Sequence, residues 1–139
     1  YHLQNSHFFP ALIAKIYQAK INRKKSIELW GNGKAKREIM YVDDLANACE
    51  FFLKNRVRNS LINIGSGHED TIENYAKFIM KKLDVDLKIK FDKKKPNGTP
   101  RKILNSQVAK NYGWDSKIGL SKGFDLTFKN FLKNLTTKN

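Results

Sequence analysis

A chain of 139 residues with 40% hydrophobic content is long enough for one domain with a real core and too short for two full ones, and no stretch reaches the roughly 18 apolar residues of a membrane span. A single cysteine, Cys49, forms no internal disulfide, and the scattered His2, His7 and His68 make no zinc ligand cluster, so no structural metal is expected. The net charge of +14 raises nucleic acid as a partner, but the lysines are spread through nearly every segment and arginine is confined to Arg23, Arg37, Arg56, Arg58 and Arg101; a solvated basic surface is expected instead. The opening YHLQNSHFFP lacks the basic and apolar regions of a secretory leader, which reads as a soluble, cytoplasmic protein.

In chain order, HFFPALIAKIYQAKIN sets Phe9, Leu12, Ile13, Ile16 and Tyr17 at helical spacing, with Pro10 tolerated in the first turn and Lys15 on the polar side. SIELW then alternates as a strand, Gly31-Asn32-Gly33 signals a turn, and REIMYV reads as a second extended run that either pairs with the first or diverges from it. Asp43 or Asp44 is placed to cap the helix DDLANACEFFLKN, whose apolar face carries Leu45, Ala48, Cys49, Phe52 and Leu53. The run LINIG suits a buried strand, and Asp70 and Glu73 have the spacing of a capping box for a helix with Ile72, Tyr75, Ala76, Ile79, Met80 and Leu83 on one face. LKIKFD alternates as a strand with one wet face, KKKPNGTPRK follows as a loop, and a short helix near Ser106 to Tyr112 precedes a Gly113-Trp114 break and a last amphipathic helix bearing Leu120 to Leu135.

The pattern is mixed α/β, helices packed with a few short strands. It contains neither the G-x-G-x-x-G dinucleotide fingerprint nor a P-loop, and GNGKAK reads as a turn rather than a phosphate cradle. Strand alternation turns Trp30 away from Ile27 and Leu29, just before the turn that leads to Arg37. An aromatic ring beside a guanidinium suits an aromatic or anionic ligand, although Trp30 packed on a neighbouring layer and Arg37 paired with Glu38 or Asp43 read as well on spacing alone. His7, at a helix start, is suited to proton transfer near neutral pH or to a purely structural role.

Five segments in this order and spacing, NSHFFPALIAK, WGNGKAKREIMYVDDLANA, INIGSG, KPNGTPRKIL and GWDSKIGLSKGF, resemble the C-terminal half of GDP-L-fucose synthases, which are extended short-chain dehydrogenase/reductases. RExxxVDDLA and NIGSG are shared across the superfamily; NSHxxPALI and KPxGTPRK are more specific. The resemblance covers essentially the whole chain and implies that residues 1–139 are a substrate-binding fragment, with the Rossmann half that carries NADP and a Tyr-x-x-x-Lys pair absent; Tyr41 cannot replace that pair because residue 45 is Leu. It implies that His7 is the acid of epimerisation and lies near the cofactor, and that Lys15, Trp30 and Arg37 contact a GDP-sugar, with Asn97, Arg101 and Lys102 facing the same ligand. The family loop has aspartate where this chain has Asn97, and the family's catalytic cysteine belongs to the absent half, so Cys49 takes no such role. A homodimer is expected of the full-length enzyme, with the isolated fragment inactive. Reduction of another GDP-4-keto sugar, such as a GDP-6-deoxy-heptose, is the alternative substrate reading, and a basic nucleic-acid-binding module the alternative from another class. The three leading lysines of KKKPNGTPRK are expected to be solvated, and apolar helix faces shaped for the absent half are expected to leave patches on the fragment.

Overall fold

A computed structural model describes residues 7–136. The elements in chain order are α1 (Phe8–Ile21), β1 (Ser26–Trp30), β2 (Lys36–Glu38), α2 (Val42–Lys54), β3 (Glu69–Thr71), α3 (Ile72–Lys82), β4 (Lys88–Asp92), β5 (Arg101–Lys102), α4 (Gln107–Asn111) and α5 (Leu120–Thr136). They divide between two compact units, one made of the described residues up to Arg37 with Asp70–Arg101, the other of Glu38–Glu69 with the described residues from Lys102 onward. Among the described residues no helix is long and apolar enough to cross a membrane.

In the first unit α1 packs against α3 and β1. The periodic apolar positions of α1 and α3 supply its centre: Ile13, Ile16 and Ile79 are fully buried, and the rings of Phe8 and Phe9 lie against Tyr75. Each side chain of this size removed from water contributes about 1.5–3 kcal/mol, so the i, i+3, i+4 spacing legible in the sequence is what joins these helices. Lysine also serves the packing, since Lys20 Nζ reaches past α1 to donate to the Leu83 carbonyl at the end of α3. The strands β1 and β4 pair in parallel, with Ile27 opposite Ile89, Glu28 opposite Lys90, Leu29 opposite Phe91 and Trp30 opposite Asp92. Side chains alternate across a strand, so Ile27 and Leu29 are buried while Glu28 and Trp30 stand on the open face.

The two extended runs around Gly31–Gly33 therefore diverge: β1 pairs with β4, whereas β2 is the middle strand of a three-stranded sheet ordered β3-β2-β5. The second run is also shorter than its alternation suggests, because Val42 already opens α2.

In the second unit Ala48, Ala109 and Trp114 form a buried cluster with Met40, Phe51, Phe52, Ile62 and Ile64 against it. Trp114 Nε1 donates to Asn47 Oδ1 at 3.1 Å, so the indole is buried without stranding its polar edge. Three sequence expectations are corrected here and at the start of α3. LINIG forms no strand: Ile62 and Ile64 are spent on packing against that cluster while Leu61 is exposed, and an apolar run alone cannot tell packing from pairing. Neither Asp43 nor Asp44 caps α2, whose N-cap is Tyr41; Asp44 is buried in the first turn, where its carboxylate accepts from the backbone N–H groups of Lys117 (3.1 Å) and Ile118 (2.9 Å). The cap of α3 is Thr71, which accepts from the Asn74 N–H, while Asp70 accepts from Thr71 N–H and Asn74 Nδ2 and Glu73 pairs with Lys77.

Candidate functional site

The parallel pairing of β1 and β4 brings two loops to the same sheet end. After Trp30 the chain turns through Gly31 and Gly33, and after Asp92 it enters the loop of residues 93–100. Backbone bonds fix their approach: Gly31 N–H donates to the Asp92 carbonyl at 2.9 Å and Lys36 N–H to the Pro100 carbonyl at 2.8 Å.

Asn97 closes the gap. Its Oδ1 accepts from the Asn32 N–H at 2.8 Å, and a Cβ on Gly31 would lie 2.4 Å from that same oxygen. Gly31 also has φ of +70°, so the turn needs glycine twice over, for backbone conformation and for the approach of the loop. Sequence reasoning turned Asn97 toward a ligand; its oxygen is instead used within the protein, and Nδ2 is the part of the amide that retains donor capacity for a ligand.

Arg37 ties the far end of the loop. Its Nη1 donates to the carbonyls of Lys36 and Thr99, both at 2.7 Å, and Tyr75 Oη donates to the Arg37 carbonyl at 2.8 Å. The alternative pairings of Arg37 with Glu38 or Asp43 are thus replaced by backbone carbonyls. A guanidinium has five donors, so holding the loop through Nη1 leaves Nη2, which lies 3.3 Å from where a Gly98 Cβ would stand, beside a glycine.

Trp30 is 59% exposed on the open face of the sheet rather than packed on another layer. Lys95 Nζ lies over its ring, 5.4 Å from the centroid, so the lysine run is not uniformly free surface. The turn geometry sets Lys95 there: its N–H donates to the Asp92 carbonyl and the Lys94 N–H to Asp92 Oδ1, next to the residue in register with Trp30. Lys15 Nζ donates to the Glu28 carbonyl at 2.8 Å, and the Glu28 side chain, on the open face, stands opposite Lys90. A groove of about 520 Å³ runs beside Lys15, Lys24, Glu28 and Lys90, and a cleft of about 520 Å³ lies among Asn32, Lys34, Phe91 and Asn97. The open face thus mixes Lys88 and Lys90 with Glu28 and Asp92, with the exposed Trp30 ring at one end.

Lys15, Trp30, Arg37 and Asn97 are therefore connected through β1, the glycine turn and the 93–100 loop. His7 stands exposed at the N-cap of α1, where its carbonyl accepts from Ala11 N–H and its imidazole makes no capping bond. Arg101 and Lys102 are exposed in β5, with Lys102 counted in the second unit. Asn5 and Ser6 of the NSHFFP motif, and His2, lie outside the described residues. Among the described residues no group of three His, Cys, Asp or Glu side chains is placed to hold a metal ion. Lys95 and Asn32 were missed by sequence reasoning; the signal that reveals them is the parallel pairing of SIELW with KIKFD, which sets the glycine turn beside the loop.

Residues 1–65 match the NAD dependent epimerase/dehydratase family. GDP-L-fucose synthase 1 of Arabidopsis thaliana is 38% identical over 138 residues, which are 99% of this chain and 43% of that protein. Among solved structures, a GDP-L-fucose synthetase from Naegleria fowleri bound to NADP superposes with a TM-score of 0.84 at 22% identity, over 98% of this chain and 43% of that one, a likeness of fold alone. GDP-mannoheptose C4 reductase from Campylobacter jejuni, with NADP bound, superposes with a TM-score of 0.75 at 25% identity, over 93% of this chain and 46% of that one. The chain thus has the fold of one part of these extended reductases and spans less than half the length of each of these three relatives.

Proposed function

We propose that this chain is the GDP-sugar-binding portion of an NADP-dependent epimerase/reductase of the GDP-L-fucose synthase kind. The observation that carries the reading is the exposed Trp30 beside two loops latched by Asn97 and Arg37, in a chain 38% identical over 99% of its length to a GDP-L-fucose synthase. An open indole offers a surface for a ring of the ligand, and the lysines of the groove beside β1 and Arg37 Nη2 offer cations to a diphosphate. A GDP-L-fucose synthase 38% identical over 99% of this chain supports a 6-deoxy-mannose-derived sugar as the ligand.

No dinucleotide-binding glycine pattern occurs in the 139 residues, so His7 is the one side chain we assign toward the cofactor. When bound, NADPH supplies the hydride that reduces the C4 ketone of the sugar. The role we assign to His7 is to return a proton to carbon next to that ketone during epimerisation, a task open to an exposed imidazole with no capping bond. The full-length protein is inferred to be a cytoplasmic homodimer, and its solution mass tests the second half of that statement.

The test is to incubate the full-length protein with GDP-4-keto-6-deoxy-mannose and NADPH in deuterated water. Loss of NADPH absorbance together with deuterium at C3 and C5 supports the reading, and the absence of both refutes it. His7→Gln should slow deuterium incorporation by roughly 10²–10⁴-fold, the usual contribution of a positioned acid or base, while GDP affinity stays near that of the parent protein.

A further inference from the structure

Lys95 belongs to the lysine run that composition alone reads as solvated surface, yet its ammonium lies 5.4 Å from the centre of the Trp30 ring. The position follows from three features of the backbone. Parallel register sets Trp30 opposite Asp92, the Gly31 N–H bonds to the Asp92 carbonyl, and the same carbonyl accepts from the Lys95 N–H at 3.2 Å. The loop beyond it is held by Asn97 Oδ1 on Asn32 and Arg37 Nη1 on Thr99. The backbone of Lys95 is thus anchored while its side chain is exposed, and the indole beneath it is 59% exposed.

We propose that Lys95 is a ligand-selecting residue of this site: it covers the Trp30 ring when no ligand is bound, and its ammonium pairs with the phosphates of a nucleoside diphosphate when the ligand's ring system takes over the indole. This rests on the functional reading above and adds a residue and a selection rule to it. A neutral ring compound must displace the ammonium and receives nothing in return. An anionic one displaces it and gains a charge-assisted bond from the same group. The site would therefore discriminate by phosphate as well as by shape, through a cation already stationed at the ring.

The experiment titrates the protein with GDP and with guanosine while following tryptophan fluorescence; Trp114 is buried, and Trp30→Phe identifies the signal that belongs to Trp30. Lys95→Met should weaken GDP by roughly three- to tenfold, flatten the salt dependence of GDP binding, and leave guanosine unchanged or slightly tighter, while Lys95→Arg retains GDP affinity and its salt dependence. If the parent protein binds GDP and Lys95→Met binds it equally well, the role of Lys95 is overturned and the GDP-sugar reading stands. Equal losses for GDP and guanosine also overturn it, since they indicate a lost packing contact. Failure of the parent protein to bind GDP overturns the functional reading and the assignment of Lys95 together.

Discussion

Gly31 and Asn97 act as one feature. Replacing Gly31 by Ala adds a methyl 2.4 Å from Asn97 Oδ1 at a residue whose φ of +70° already disfavours a side chain, so G31A should cost about 1–3 kcal/mol, read as a lowered midpoint of thermal unfolding. In an Asn97→Ala background the side-chain clash is gone while the Cα of residue 97 still lies 3.0 Å from the added methyl, so the same substitution should cost less than in the parent, leaving the pair of changes less than additive. Asn97→Asp preserves an acceptor for the Asn32 N–H and should fold with near-parental stability. Asp44 is the corresponding point in the second unit. Asp44→Ala strands two backbone N–H groups that now share its carboxylate and should cost about 2–4 kcal/mol in urea unfolding, with Asp44→Asn recovering part of that through its single carbonyl. The roles of these residues were only half legible in the sequence. Glycine in GNG announces a turn, but that the turn is shaped to admit an amide oxygen 65 residues away depends on a strand register that local pattern does not contain.

At the level of elements, the long helices were legible because packing and periodicity agree: α1, α3 and α5 fall where the apolar spacing puts them. Short elements were not. The strands β2, β3 and β5 have two or three residues each, too few for alternation to register, and LINIG carries strand composition without a strand because its isoleucines are consumed by side-chain packing. Capping was misread for a related reason: Asp44 and Asp70 have the right chemistry for a cap but are engaged by other donors, and Thr71 takes the cap of α3. Thr71→Ala should therefore lower stability by about 1 kcal/mol, the usual worth of such a cap, in denaturant unfolding. The segment after α4 supplies a pH-dependent contact, in which the hydrogen bond from Lys110, 3.1 Å from Asp115, holds the Asp115 carboxyl below its ordinary range. A depressed folded-state value means that the contribution is complete above the unfolded-state value, about pH 4, and is lost as pH falls through the lower folded-state value. Both side chains are substantially exposed, so Asp115→Asn should lower stability at neutral pH by no more than about 0.5 kcal/mol, and the difference should vanish in acid.

For the whole molecule, the charge of +14 and the aromatic content admit two uses, a nucleic-acid surface or a site for an anionic small molecule. The described aromatics divide in favour of the second. Phe8 and Phe9 pack on Tyr75, Phe124, Phe128 and Phe131 stack along α5, and Trp114 is buried, which leaves Trp30 as the large aromatic exposed beside basic groups. A single-stranded nucleic acid is bound by several aromatics interleaved with basic groups, whereas one nucleoside diphosphate needs one ring and a few cations. In the second unit Leu53, Leu61 and Val42 are individually exposed. The most direct measurement of the central claim is calorimetric titration of the protein with GDP and, separately, with a short single-stranded DNA, in the parent protein and in Trp30→Ala. Saturable GDP binding that Trp30→Ala weakens by roughly tenfold or more, with DNA binding weak and abolished by moderate salt, is the predicted result. Tight, salt-sensitive DNA binding with no heat from GDP would contradict it.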